Sequence, residues 1–247
     1  MNLQQTTTLL AACTALTAFS TSAQEQYYDF GFIGASGAYG QSVYSDNGGG
    51  SLSLEPNLFY NGEYGFVDGS LVNISVLPYV GISGQWRFAE VSDNFDDIPN
   101  GINERDGNGE LGVTIGTVGA RLTYLDDVTN EHDGYEIQLH LGRTLDLSFE
   151  QFTLTPYVEV DFRDKKLSQH LYDISAQESA ASGLNTYSSG SSWVYQTGLI
   201  GIYTITPDWL TLAKFELEHH DSDSPLIQRD LGWSISLGVT SVSYTHL

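Results

Sequence analysis

Hydrophobic and polar residues alternate along most of this chain with a period of two. In Leu231–Val239 the odd positions are Leu231, Trp233, Ile235, Leu237 and Val239, and the even ones are Gly232, Ser234, Ser236 and Gly238. Over 152–163 one face carries Phe152, Leu154, Pro156, Val158, Val160 and Phe162, the other Thr153, Thr155, Tyr157, Glu159, Asp161 and Arg163. Tyr135, Ile137, Leu139 and Leu141 alternate with Glu136, Gln138, His140 and Gly142. Val80, Ile82, Trp86 and Phe88 share a face opposite Tyr79, Ser83, Gln85 and Arg87, and Trp209, Ala213, Phe215 and Leu217 lie opposite Lys214, Glu216, Glu218 and His220. Successive side chains of a strand point to opposite faces, so each stretch reads as a strand with one apolar side. The pattern predicts about ten strands, at 28–40, 50–60, 63–76, 78–88, 109–124, 134–145, 152–163, 189–205, 209–220 and 229–244. Asn61-Gly62, Leu77-Pro78 and Thr206-Pro207-Asp208 supply turn chemistry at the joints.

A two-sheet sandwich also alternates, so period alone does not choose the architecture. The polar faces carry Arg87, Glu136, Glu159, Asp161, Arg163, Lys214 and Glu216 in mid-strand, which suits a barrel lumen. Trp86, Trp193, Trp209 and Trp233 fall near strand ends, where membrane barrels place aromatic girdles. The segments are also about twice the five or six residues usual in globular strands. The expected fold is therefore all-β, a transmembrane antiparallel β-barrel of about ten strands with one short helix in a connection. A turn at Asp68-Gly69 and one further split would raise the count to twelve. The strand count bears on sidedness. With ten strands the two longest connections, 89–108 and 165–188, follow strands four and seven and fall at opposite ends, against the rule that long loops share the outer side.

No later stretch is apolar for long enough to form a membrane helix, but the N-terminus reads as an export signal. Leu9–Phe19 is apolar and uncharged, and Thr21-Ser22-Ala23 places small residues ahead of Gln24-Glu25-Gln26. Residues 1–23 are expected to be a signal peptide and 24–247 the barrel. A rival reading takes Leu10-Ala11-Ala12-Cys13 as a lipoprotein box. Cys13 is the only cysteine, so the mature chain has no disulfide framework or cysteine nucleophile.

Asp and Glu total 31 against 9 Lys and Arg, a net charge of −22, which repels phosphate and excludes nucleic acid as a partner. With Tyr 15, Phe 11 and Trp 4 there is ample side chain to bury, which argues against disorder. The histidines are His132, His140, His170, His219, His220 and His246. His219 and His220 are adjacent on a strand, face opposite ways, and cannot share an ion without a bulge; Glu218–Asp223 reads as a solvated acidic loop. His140, beside Glu136 and Gln138, reads as a hydrogen-bonded lumen histidine. The acidic residues Glu90, Asp93, Asp96, Asp97, Glu104, Asp106 and Glu110 lack the EF-hand ligand spacing and read as a solvated run, with bridging to anionic lipopolysaccharide through divalent cations as the alternative. No nucleophile elbow, phosphate loop or zinc-protease motif occurs. The sequence assigns no catalytic residue, no cofactor-binding residue and no metal ligand. Arg87, Arg163 and Lys214 are expected to pair with Glu159, Asp161 and Glu216 and fill the lumen.

A resemblance emerges in the second half. Residues 171–187, LYDISAQESAASGLNTY, hold a short helix over 175–182 with Ser175 as N-cap, Glu178 completing a capping box and Gly183 as the stop. Trp193, Gly198-Leu199, Tyr203, Trp209 and Asp223-Ser224-Pro225-Leu226 follow; upstream stand Arg105-Asp106, Glu110-Leu111-Gly112, Pro56, Phe59-Tyr60 and Phe66-Val67-Asp68-Gly69. In order and spacing these resemble the MipA/OmpV family of outer-membrane proteins over about residues 28–244. Such barrels usually end on an aromatic residue, whereas this sequence ends Tyr244-Thr245-His246-Leu247. The resemblance implies a non-catalytic outer-membrane scaffold linked to murein synthesis, with a lytic transglycosylase and a penicillin-binding protein as partners and contact with outer-membrane lipid or lipopolysaccharide. A narrow porin-like channel or an adhesin is the alternative, and a lipid-modifying enzyme a more remote one. The segment 165–188 would either dock on a periplasmic partner or cap the barrel mouth.

Overall fold

Thirteen strands pair in one antiparallel sheet that closes on itself. They are β1 (Phe30–Gln41), β2 (Ser51–Gly62), β3 (Gly65–Asp68), β4 (Leu71–Leu77), β5 (Val80–Arg87), β6 (Asn108–Thr117), β7 (Ala120–Asp127), β8 (Tyr135–Gly142), β9 (Leu145–Asp146), β10 (Phe152–Arg163), β11 (Ser192–Thr206), β12 (Trp209–Asp221) and β13 (Gly232–Tyr244). This computed structural model describes residues 29–45, 50–92, 98–147 and 151–244. The expected signal peptide, Asp93, Asp96, Asp97 and the residues after Tyr244 lie outside them. Consecutive strands pair in sequence order except β8 and β9, which both join β10; β10 joins β11, and β13 returns to β1 through Phe30↔Tyr244 and Gln41↔Trp233. Closure pairs every stave on both sides except the upper half of β2, Leu52–Asn57, which has no strand partner towards β3 among the described residues; pairing of this kind is what lets a sheet cross hydrocarbon.

β8 and β9 are one stave. Both pair with β10, through Tyr157↔Gly142 and then Leu154↔Leu145. The ladder breaks opposite Pro156, whose carbonyl accepts the Arg143 amide at 3.1 Å but which has no N–H to return. The barrel therefore has twelve staves. Relative to the alternation reading, 63–76 divides at Gly69-Ser70 and 109–124 at Val118-Gly119. Gly69 sits at φ +59°, a left-handed conformation that suits glycine.

The two extra turns restore the parity that ten strands broke. The long connections that follow β1, β5, β7, β10 and β12 now all leave from one end. The tight turns at 63–64, 78–79, 118–119 and 207–208 lie at the other, with the two described chain ends. In bacterial barrels the short turns are periplasmic and the long loops extracellular.

Outward positions are apolar and exposed, among them Ile33, Leu52, Leu54, Ile74, Ile82, Leu111, Leu199, Ile235 and Leu237. Such a belt far exceeds the patch a soluble monomer leaves in water. Trp86, Trp193 and Trp233 stand on this outer face at the loop end and Trp209 at the turn end, as the girdle expectation requires. No helix among the described residues is long and apolar enough to cross a membrane.

The connection after β10 holds two helices rather than the one expected. In α1 (Lys165–Tyr172), Asp164 caps the Leu167 amide and the apolar pair Leu167 and Leu171 lies on the buried side. In α2 (Ala176–Ser182), Ser175 and Glu178 form the reciprocal capping box and Gly183 closes the helix at φ +78°.

Candidate functional site: a capped and pocketed lumen

The long connections fold into a hydrophobic core of their own over the loop-end mouth. Val43 and Tyr44 come from the first, Val91, Ile98 and Ile102 from that after β5, Leu167, Leu171, Tyr172 and Ile174 from the helical one, and Leu226 from the last. All are buried. The Glu178 carboxylate, beyond capping its own helix, meets Arg105 Nη1 at 2.8 Å and accepts the Asn103 amide, which ties α2 to the connection after β5. The helical segment thus caps the barrel.

Beneath the cap two arginines and three glutamates form a charge-paired layer in the lumen. Arg163 donates through both Nη atoms to the two oxygens of Glu90, each at 2.9 Å, and through Nε to Glu136 at 2.9 Å. Arg87 reaches Glu90 at 2.8 Å, Glu136 at 2.9 Å and Glu110 at 3.0 Å. Glu90 and Glu136 therefore each bridge both guanidinia. Burial alone would push the Glu90 carboxyl up; the Arg163 and Arg87 guanidinia more than offset it and hold it at about 2. Arg163 Nη1 also donates to the Tyr172 hydroxyl at 2.9 Å, which lies 2.9 Å from His220 Nδ1, so the layer is fastened to the cap above it.

Below this layer the lumen opens into a cavity of about 940 Å³. It runs from the β6–β7 turn and Arg143-Thr144 at the turn end to Gln138, Glu159 and Gln196. Neither arginine of the charge-paired layer lines it. One side is polar: Arg121 pairs with Asp68 at 2.8 Å, His140 Nδ1 with Glu159 at 2.6 Å and Lys214 with Glu216 at 2.8 Å, while the Tyr157 hydroxyl donates to Glu216. The other is apolar, with Phe30, Phe32 and Phe59 packed against Ile200, Ile202 and Leu212. Membrane-barrel interiors are ordinarily polar, so an apolar wall here needs a reason.

All seven charged mid-strand residues expected to be hidden face the lumen, and Lys214 pairs with Glu216 as expected, but the arginines pair differently. Arg87 and Arg163 bind Glu90, Glu110 and Glu136, not Glu159 and Asp161; the buried Asp161 Oδ1 has no hydrogen-bond partner. His140 is the hydrogen-bonded lumen histidine expected. His219 and His220 do diverge: His219 stacks on Tyr195 outside, while His220 is buried against Tyr44 and Tyr172 rather than solvated. Glu90 and Glu110 likewise belong to the buried layer and not to a solvated run. Among the described residues no group of three or more His, Cys, Asp or Glu is placed to hold a metal ion.

Comparison with known proteins places the chain in a family. The family model described as "MltA-interacting protein MipA" matches residues 33–242. The "Putative outer membrane protein YiaT" of Escherichia coli (strain K12) is 27% identical over 223 residues, covering 84% of this chain and 89% of that protein. The "MltA-interacting protein" of the same strain is 31% identical over 91 residues, 36% of this chain and 37% of that protein. Among solved structures, the anion-selective porin from Comamonas acidovorans aligns over 87% of this chain and 98% of its own at 8% identity and a TM-score of 0.37. The CymD monoaromatic hydrocarbon channel aligns over 93% and 94% at 9% identity and a TM-score of 0.39. With the closed barrel, its lipid-facing belt and a match over most of its length, the chain belongs to the MipA family of outer-membrane proteins.

Proposed function

We propose that this protein is a non-conducting, non-catalytic outer-membrane scaffold that ties the murein-synthesising machinery to the membrane. The observation that carries the reading is the Glu90-bridged layer of Arg87 and Arg163 beneath an apolar cap, because a pore that is stoppered by charge pairs and roofed by packed side chains offers solutes no path. A relative is named for interaction with MltA, and a lytic transglycosylase is accordingly the first expected partner, with a penicillin-binding protein second. Lipid or lipopolysaccharide surrounds the belt. The helical connection lies at the loop end, away from the periplasm by the rule for such barrels, so it caps the mouth and the docking surface for murein enzymes is the turn end. There Tyr64 and Tyr79 stand exposed on neighbouring turns. The same reading removes residues 1–23 on export and leaves 24–247 as the mature barrel.

The test pairs two measurements on the full mature chain. Planar bilayers should show no conductance steps from the native protein, and immobilised native protein should retain a purified lytic transglycosylase that the Tyr64→Ala, Tyr79→Ala double variant releases. Steady steps from the native protein, or capture lost through changes in the cap alone, would overturn the reading.

A further inference from the structure

One stave of the wall is too short to close it. β2 pairs with β1 along its whole length, Phe30↔Asn61 to Gly40↔Ser51, but with β3 only over Phe59–Gly62. Beyond the single bond from the Gly69 amide to the Leu58 carbonyl, 2.9 Å, no strand pairs with Leu52–Asn57 on that side among the described residues. Pro56, which has no N–H to give, falls in this half of β2, as proline in a sheet usually falls at an edge. Unpaired backbone cannot face hydrocarbon and is tolerated at membrane depth only where it is buried in protein or borders a water-filled cavity. Glu55, Pro56, Asn57 and Leu58 do border the lumen cavity.

On the lipid side a surface groove of about 410 Å³ runs between Val72, Gly84, Trp86, Leu111 and Val128, and its lining shares Ser70 and Gln85 with the lumen cavity. Ser70 and Gln85, at the β3–β4 turn, thus separate groove from cavity by the thickness of one wall. That place lies beside Trp86, just inside the loop-end aromatic girdle, at the depth of the loop-side leaflet.

We propose that this notch is a lateral portal through which the acyl chain of a lipid in the loop-side leaflet enters the lumen. The chain lies along Phe59, Phe32, Ile200 and Leu212, while its head group stays at the notch with Ser70, Gln85 and the free peptide groups of Leu52–Asn57. Three observations select this occupant: the apolar wall within an otherwise polar lumen, the unpaired stretch of β2 bordering that lumen next to Ser70 and Gln85, which also line a groove facing lipid, and a volume of about 940 Å³ within the range of about 300–1,000 Å³ usual for small-molecule sites. The proposal is independent of the scaffold reading, since a capped loop end leaves a side entrance untouched.

The test uses the full mature chain folded in a detergent without alkyl chains, and palmitoyl lysophosphatidylcholine carrying a photoreactive group in its acyl chain. Cross-links should saturate on the inward residues Phe32, Phe59, Ile200 and Leu212 as well as appearing on the outward Leu237 and Val239. Ser70→Trp, a wedge in the portal, and Ile200→Trp, a plug in the cavity, should each abolish the inward cross-links and keep the outward ones, with heat-modifiable gel mobility reporting that both variants fold. Cross-links confined to outward residues would mean boundary lipid only and overturn the proposal. Inward labelling that survives Ser70→Trp would place the entrance at the turn end and overturn it as well. Photoreactive palmitate without a head group separates the two sources of acyl chain: the proposal expects the lysolipid to label the lumen, and labelling by the free acid alone would refute it.

Discussion

Arg163 and Glu90 meet across the barrel mouth as a two-pronged pair, Nη1 to Oε2 and Nη2 to Oε1, both at 2.9 Å. Arg163 comes from the wall and Glu90 from a connection, so this pair fastens cap to barrel. A parallel two-bond fork is both stronger and more directional than a single contact. Replacing Arg163 with Ala would leave Glu90 and Glu136 facing each other without one of their two cations. Stranding a buried charge in this way costs about 3–5 kcal/mol. We expect Arg163→Ala to lower the urea midpoint of the folded barrel and, on the non-conducting reading, to admit brief conductance steps. Arg163→Lys, which keeps the charge but not the fork, should fall between the two. Equal stability of all three proteins would contradict the central place given to this pair.

Acid should loosen the same joint. The Glu90 carboxyl is held at about 2 against an ordinary 4.5, and Glu178, bound by backbone amides and Arg105 despite its burial, is also held at about 2. Depressed carboxyl groups add stability that is fully present above about 4.5 and is lost as pH falls through about 2. Hydrogen exchange of the cap amides should therefore stay slow at neutral pH and speed up between pH 4.5 and pH 2. In Glu90→Gln the cap should already be looser at neutral pH, and the rise with acid should be less steep, with Glu178 supplying what remains. A native profile flat to pH 2 would count against the assignment.

The strands were readable from sequence because alternation is local: residues two apart show which face is apolar. Asp68-Gly69 marked the first extra turn, as the structure bears out, whereas the split at Val118-Gly119 carried no turn signal that stood out from the alternation around it, so two staves read as one there. The cost was the sidedness of 88–107, which follows the fifth stave rather than the fourth and so changes ends, while 164–191 keeps its end. The capping box of α2 was legible for the same local reason. α1 was missed although Asp164 and the four-residue spacing of Leu167 and Leu171 mark it, because it starts directly behind β10. The charge-paired layer was only half legible. Arg163 is drawn to Glu90 from 73 positions away, and no local pattern separates such a glutamate from a solvated one.

The Ser175 cap offers a graded test of the roof. Its hydroxyl accepts the Glu178 amide at 3.2 Å while Glu178 returns to the Ser175 amide at 2.9 Å. Ser175→Ala should cost about 1 kcal/mol, seen as faster exchange in α2 and its neighbours, with the barrel's heat-modifiable mobility unchanged. Loss of the barrel itself would mean that the cap is part of its folding core.

The Gly69 turn should be equally specific in the opposite direction. A side chain there meets no neighbouring atom, so any penalty for Gly69→Ala comes from the backbone alone, φ +59° costing about 1–2 kcal/mol for an L-residue. The cap should be insensitive to it. Gly69→Asn, which tolerates this conformation, should restore most of the loss; if Asn and Ala weaken the barrel alike, the strain argument fails.

Sidedness decides what the cap can touch. Twelve staves put α2 at the loop end, and the rule for bacterial barrels puts that end outside the cell. The sole cysteine is Cys13, within the expected export signal, so single cysteines placed in the mature barrel report cleanly. A cysteine at Ser182, beside the α2 stop, should react with a membrane-impermeant maleimide on intact cells. One at Asp208, in the β11–β12 turn, should react only after the outer membrane is opened. The reverse pattern would place the helices in the periplasm, return the murein enzymes to the cap, and make the exposed Tyr64 and Tyr79 a surface feature instead of a docking site.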